Sequence, residues 1–174
     1  MRVIGGEFRS RRIKTLPGLE TRPTPDRLRE TLFNVLAPMI ADTVFLDAYA
    51  GSGAVGIEAL SRGASRAIFV EKNRAAVEVI RENLSILGLE KRAEVFTGKT
   101  LEVLERVAAD IVFLDPPYEK EIEYESALTA LGLATNRLVI AQHASRATLK
   151  PEYGNLKCYR ILKQGDNSLS FYRA

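Results

Sequence analysis

The chain has 174 residues, 46% of them apolar, and a formal net charge of +3. That suits one domain with its own core and excludes a disordered chain. It holds no apolar run of membrane-spanning length. One cysteine, Cys158, excludes an internal disulfide, and with one histidine, His143, it leaves no Cys/His ligand set for a metal.

Met1 to Gly6 lacks the apolar stretch of a signal peptide, so a cytoplasmic protein is the expectation, and a monomer is the default because no oligomer seam stands out. Residues 1–14 carry Arg2, Arg9, Arg11, Arg12 and Lys14 against Glu7 alone, a net of +4, while the other 160 residues sum to −1. Loose alternation around Gly5-Gly6 and Ser10 predicts a short β-hairpin arm over 2–15. Its Arg9, Arg11, Arg12 and Lys14 are candidate phosphate contacts, and Arg22, Arg27 and Arg29 extend the basic character. The bland alternative is a solvated terminus, against which the slightly acidic remainder of the chain argues. Pro17-Gly18 and Arg22-Pro23 mark an irregular link, which divides the chain into an arm, 1–22, and a domain, 23–174. Thr24-Pro25-Asp26 predicts a helix start, with Thr24 as N-cap and Pro25 at the first helical position. Leu28, Leu32, Val35, Leu36 and Met39 form its apolar stripe.

From residue 43 strands and helices alternate. Strands are predicted at 44–46, 67–70, 93–97, 111–114 and 137–142. Helices are predicted at 54–62, 73–87, 100–107 and 122–131. Two further strands, 157–162 and 169–172, flank Gly165-Asp166-Asn167. The pattern implies an α/β, doubly wound, Rossmann-like parallel sheet covered on both faces, with an antiparallel hairpin at one edge.

The first strand runs into Asp47-Ala48-Tyr49-Ala50-Gly51-Ser52-Gly53-Ala54-Val55-Gly56. Gly51, Gly53 and Gly56 match the dinucleotide fingerprint, and Glu71 follows at the tip of the second strand, where an acid meets ribose hydroxyls. A nicotinamide enzyme is therefore one reading. Asp47 argues against it, because a carboxylate beside the following helix N-terminus repels a pyrophosphate. S-adenosylmethionine carries an ammonium and a sulfonium that such an acid attracts, while loop amides receive its carboxylate. A tight turn with a capping Asp is the bland alternative.

After the fourth strand comes Asp115-Pro116-Pro117-Tyr118. The prolines fix two φ angles and remove two donors. A carboxylate before this corner and a ring after it suit an exocyclic amine on a flat base. Asp115 and a proline carbonyl accept its N–H hydrogens, and Tyr118 stacks on the base. In a doubly wound sheet the first and fourth strands flank the switch point, so methyl donor and acceptor amine would meet there. A base reaches such a pocket only unpaired or flipped. Carbon methylation of cytosine needs a cysteine nucleophile, and Cys158 is distant from both motifs, so a structural role is expected for it and for His143.

These residues resemble the RsmD family of bacterial small-subunit ribosomal RNA guanine-N2 methyltransferases. The resemblance spans almost the whole chain: residues 2–9, 22–34, 47–53, 58–64, 69–72, 113–118 and 169–172. The Asp-Pro-Pro-Tyr group is shared with adenine-N6 methyltransferases, and the N-terminal stretches single out this family. The resemblance implies a class I methyltransferase with a seven-stranded, mostly parallel sheet and an N-terminal hairpin that helps grip RNA. It implies a guanine of 16S rRNA as acceptor, within an assembled or partly assembled small subunit. By carry-over, Asp47, Tyr49, Ala50, Gly51 and Gly53 would line the donor site, with Lys99, Thr100 and Asp115. Glu71, beside Lys72, would bind the ribose, and Asp115, Pro116, Pro117 and Tyr118 would hold the base. Gly98-Lys99-Thr100 departs from the family where an Asp or Asn often meets the adenine amine, and Gln142-His143 stands where Glu-His is frequent. Two alternatives remain open: an adenine-N6 methyltransferase, and a non-catalytic RNA-binding module.

Overall fold

The computed structural model describes residues 1–16, 25–117, 121–133 and 137–174. Five helices and eight strands follow in order among these residues. They are α1 (Asp26–Leu36), β1 (Val44–Asp47), α2 (Ala54–Ser61), β2 (Arg66–Glu71), α3 (Arg74–Leu87), β3 (Ala93–Thr97), α4 (Thr100–Leu104), β4 (Ile111–Leu114), α5 (Glu121–Leu131), β5 (Leu138–Ala144), β6 (Glu152–Tyr153), β7 (Leu156–Gln164) and β8 (Asn167–Arg173).

One sheet holds all eight strands in the order β3-β2-β1-β4-β5-β8-β7-β6. β3 through β5 run parallel, and β8, β7 and β6 close that edge antiparallel. The order turns back between β1 and β4, the switch point of a doubly wound sheet. The eighth strand beyond the expected seven is β6, two residues paired with Leu156 and Lys157. It is too short to leave a periodic pattern. α4 ends at Leu104, where the sequence suggested a helix to Val107.

All four residues of β4, Ile-Val-Phe-Leu, are buried, as a strand covered on both faces requires. One core layer joins Leu46, Val112, Leu114 and Val139 to α5, and the opposite layer joins Phe45, Phe113 and Ile140 to α1 and α2. Asn73 caps α3 by accepting the N–H groups of Ala75 and Ala76 at 2.9 and 3.3 Å. Pro25 occupies the cap position of α1 rather than its first turn, and Thr24 lies outside the described residues.

The N-terminal segment is a tight loop closed by one antiparallel bridge, Arg2 with Arg12. Val3 donates to the Arg11 carbonyl at 3.0 Å and Ile13 to the Met1 carbonyl at 3.1 Å. Val3 and Ile13 turn inward and join a third core cluster with α2 and α3. Glu58, fully buried on α2, accepts the N–H groups of Ile4 and Gly5, both at 2.8 Å. Ser61 accepts from Phe8 at 3.0 Å through its hydroxyl and from Glu7 at 2.8 Å through its carbonyl. No helix of the described residues is long and apolar enough to cross a membrane.

Candidate active site

A cavity of about 1260 Å³ opens over the C-terminal ends of β1 to β5. It exceeds the usual range for one small ligand, roughly 300–1,000 Å³, and has room for two. β1 supplies its floor. Asp47, the last residue of that strand, is 1% exposed and accepts the Gly56 N–H at 2.9 Å. Burial pushes its carboxyl up to about 7, against the relief from the Gly56 hydrogen bond, and the Glu71 charge adds to the rise.

The chain then turns through Ala48-Tyr49-Ala50-Gly51-Ser52 into α2. Gly53 occupies the α2 cap with φ +82°, a conformation open to glycine and strained for L side chains. It shapes the turn, and Gly51 and Ser52 line the cavity. A Cβ built on Gly51 would meet no atom within 4 Å, so this side of the loop faces open space. Gly56 plays a packing role: its missing Cβ would sit 2.3 Å from the Phe69 ring, so α2 lies directly on β2.

Glu71 at the tip of β2 ties two loops together. One carboxylate oxygen accepts from Gly51 at 2.8 Å and the other from Asn73 at 2.8 Å. Part of the loop's donor capacity thus already goes to Glu71. Beyond β3, Lys99 and Thr100 line the wall, and the Thr100 hydroxyl donates to the Ala48 carbonyl at 2.6 Å. The Tyr49 phenol is pushed up to about 12 by burial, with hydrogen bonds to Thr100 and Glu123 as further influences.

β4 delivers the opposite wall. Asp47 pairs in register with Phe113, so Asp115 stands two residues further, just past the end of the neighbouring strand. Asp115, Pro116 and Pro117 all line the cavity. Pro116 is buried, and its carbonyl accepts a 3.3 Å contact from the Tyr124 hydroxyl, which also donates to the Gln142 carbonyl at 2.6 Å. The Pro116 carbonyl is thus partly engaged within the fold and retains one lone pair for another donor. Tyr118 lies outside the described residues.

One cavity therefore unites Asp47, Tyr49, Ala50, Gly51, Glu71, Lys72, Lys99, Thr100, Asp115, Pro116 and Pro117. A buried acid, a second acid at a strand tip and an open glycine loop fit a cationic donor bearing a ribose. The predicted RNA contacts lie elsewhere: Arg9, Arg11, Arg12, Lys14 and Arg27 are exposed and none lines the cavity. Lys14 pairs with Glu82 at 2.9 Å, and Arg22 lies outside the described residues. Arg29 departs from expectation. It is fully buried, bonds the Arg2 carbonyl at 2.7 Å and Asp26 at 3.0 Å, and belongs to the scaffold. His143 is buried and bonds Ser170 Oγ at 2.8 Å, and burial holds its pKa below the ordinary value.

Met1, Thr15, Leu16, Glu123 and Gln142 also line the cavity and were not singled out as site residues. No motif marks them: Met1, Thr15 and Leu16 arrive through the docking of the N-terminal loop, Glu123 through α5 and Gln142 through β5. No group of acidic, His and Cys side chains among the described residues could hold a metal ion.

The model of a family described as "Conserved hypothetical protein 95" matches residues 1–173. A Bacillus subtilis (strain 168) protein named as a candidate rRNA methyltransferase, YlbH, is 35% identical over 99% of this chain and 98% of its own length. A Haemophilus influenzae protein named "Ribosomal RNA small subunit methyltransferase D" is 33% identical over 99% of this chain and 92% of its own. The solved structure of a candidate methyltransferase, yhhF, from Escherichia coli superposes with a TM-score of 0.86 at 36% identity, covering 99% of this chain and 96% of that one.

Proposed function

We infer, because the chain belongs to the RsmD family described by that model, that it is an S-adenosylmethionine-dependent rRNA methyltransferase, and we propose that its acceptor is the N2 amine of a guanine in 16S rRNA. One observation carries the reading: a single cavity joins the acid-and-glycine end of β1 and β2 to the Asp-Pro-Pro corner of β4.

S-adenosylmethionine supplies an electrophilic methyl on a sulfonium. Asp47 and Glu71 supply negative charge for the cationic donor and hydroxyl acceptors for its ribose. Asp115 and a carbonyl of the Pro116-Pro117 corner accept the two N–H hydrogens of the acceptor amine, and Tyr118 stacks on the base. An exocyclic amine is a weak nucleophile because its lone pair is delocalised into the ring. Two acceptors holding its hydrogens favour a pyramidal nitrogen with its lone pair aimed across the cavity. Asp115 orients and needs no raised basicity, since the proton leaves to water after transfer. The work is alignment, worth roughly 7–11 kcal/mol in favourable cases. The target base enters unpaired or flipped. The exposed cations of residues 9–14 and Arg27 contact phosphates of the RNA, free or within a small subunit.

The test is methyl transfer from labelled S-adenosylmethionine to small ribosomal subunits from a strain lacking this gene, followed by nucleoside mass analysis. N2-methylguanosine is expected. N6-methyladenosine would keep the chemistry and overturn the acceptor, and transfer to neither subunits nor naked rRNA would overturn the reading.

A further inference from the structure

Asn83 sits on α3 and is 1% exposed, and the chemistry above makes no use of it. Its carbonyl oxygen accepts the Lys14 N–H at 2.7 Å. Its amide nitrogen donates to the Lys14 carbonyl at 3.0 Å and to the Ser52 carbonyl at 3.1 Å. The two bonds to Lys14 copy the pairing of a neighbouring strand and fix the main chain of the N-terminal loop. Thr15 and Leu16, the next residues, line the cavity. The third bond fixes Ser52, between Gly51 and Gly53, on the donor side of the same cavity. One planar amide therefore sets the spacing between the basic segment and the glycine loop. Buried polar groups left without partners are costly, so the three bonds hold together or are disrupted together.

We propose that Asn83 is a positioning residue that couples the two ligands: RNA phosphates on the N-terminal segment raise the affinity of the donor site, and donor raises the affinity for RNA. This rests on the reading of that segment as an RNA contact. Asn83 ties the two segments together, so a ligand that favours one arrangement of their spacing favours the same arrangement at the second site. Reciprocity is obligatory for such a coupling. The Lys14 ammonium, half-exposed on Glu82, is placed to exchange its partner for a phosphate while its main chain stays on Asn83.

The experiment titrates the full chain with S-adenosylhomocysteine, with and without saturating small ribosomal subunits from a strain lacking the gene. In the unaltered protein the subunits should lower the dissociation constant at least about five-fold, the lower end of typical couplings. In Asn83→Asp and Asn83→Ala the ratio should fall to about one, with each ligand alone bound within about three-fold of the unaltered protein. Lys14→Ala keeps the main-chain bonds, so it should weaken RNA binding and preserve the ratio. A ratio of one in the unaltered protein, or a full ratio in both Asn83 variants, overturns the proposal. So does a parallel loss of both affinities with the ratio kept, which is a merely structural role. Full RNA affinity in an Arg9, Arg11 and Arg12 to Gln variant overturns it differently, by removing the RNA contact on which it rests. If the Asn83 variants do not fold, hydrogen exchange on the unaltered protein decides. S-adenosylhomocysteine should slow the Lys14 and Thr15 amides, and unchanged rates overturn the coupling.

Discussion

The Asp47 carboxylate accepts the Gly56 main-chain N–H at 2.9 Å from inside the turn that joins β1 to α2. An acid buried at the floor of the cavity thus takes up one of the first amides of that helix. It remains poised near neutrality, since desolvation outweighs the hydrogen bond.

Donor binding should therefore be pH-dependent. A cation beside Asp47 favours its ionised form, so binding below about pH 7 must expel a proton. Affinity for S-adenosylmethionine should rise with pH and level off above about 7. Calorimetry in buffers of different ionisation enthalpy should show proton release at pH 6, which Asp47→Asn abolishes. An affinity flat from pH 5 to 8 would refute the assignment.

The same residue makes a stability prediction of the opposite sense. Its folded pKa, about 7, lies above the ordinary 3.8. Between those values the folded chain keeps a proton that the unfolded chain has lost. Its contribution is therefore full below about pH 4, declines up to about pH 7 and stays low above. Asp47→Asn still offers an oxygen to Gly56 and should raise the melting temperature at pH 8 while weakening donor binding. The gain is on the order of a few kcal/mol. Thermal unfolding of both proteins at pH 5 and pH 8 tests this, and the gap between them should be smaller at pH 5.

Gly56→Ala should destabilise although alanine is the better helix former. Its Cβ would stand 2.3 Å from the Phe69 ring. Overpacking of this kind costs typically about 1–3 kcal/mol. Phe69→Leu in the same chain should recover part of the loss. If Gly56→Ala alone is neutral in urea unfolding, α2 has more freedom over β2 than the structure allows.

Asp115→Ala should lower the turnover of methyl transfer by at least about a hundred-fold, the scale of losing one preorganised polar contact to the reacting group. Donor affinity should change far less, because Asp47 and Glu71 remain. Single-turnover transfer and S-adenosylhomocysteine titration on the same preparation separate the two effects. Equal losses in both would place Asp115 on the donor alone.

Charge removal on the surface and in the scaffold should part company. Neutralising Arg9, Arg11 or Arg12 should reduce the salt dependence of RNA binding by about one counterion each and leave stability unchanged. Arg29→Met should do the converse, because this fully buried cation ties Arg2 to α1.

The parallel sheet was legible because short runs rich in apolar residues recur between turn residues, with room for a helix in each interval and a clear 3.6-residue stripe in α3 at Val77, Ile80, Leu84 and Leu87. The convergence of Asp47, Gly51, Glu71 and Asp115 on one cavity was legible as well, since strand tips in a doubly wound sheet meet at the switch point. Arg29 was misplaced by counting charge without position. It lies three, four and seven residues before Leu32, Phe33 and Leu36, on the buried stripe, and that spacing could have identified it. Asn83 and Glu58 were hidden for another reason. Their partners include main-chain groups 31 to 69 residues away, and main-chain groups have no sequence signature. β6 was too short to register.

The basic N-terminal loop is held by Val3 and Ile13 in the core and, between them, by its own amides and carbonyls: Ile4 and Gly5 on Glu58, Glu7 and Phe8 on Ser61, Lys14 on Asn83. Its outward side chains are thus free variables. Positions 9, 11 and 12 can be rewritten without re-solving how the loop attaches. The footprint offered to an RNA can drift, or be redesigned, on a mounting that does not change.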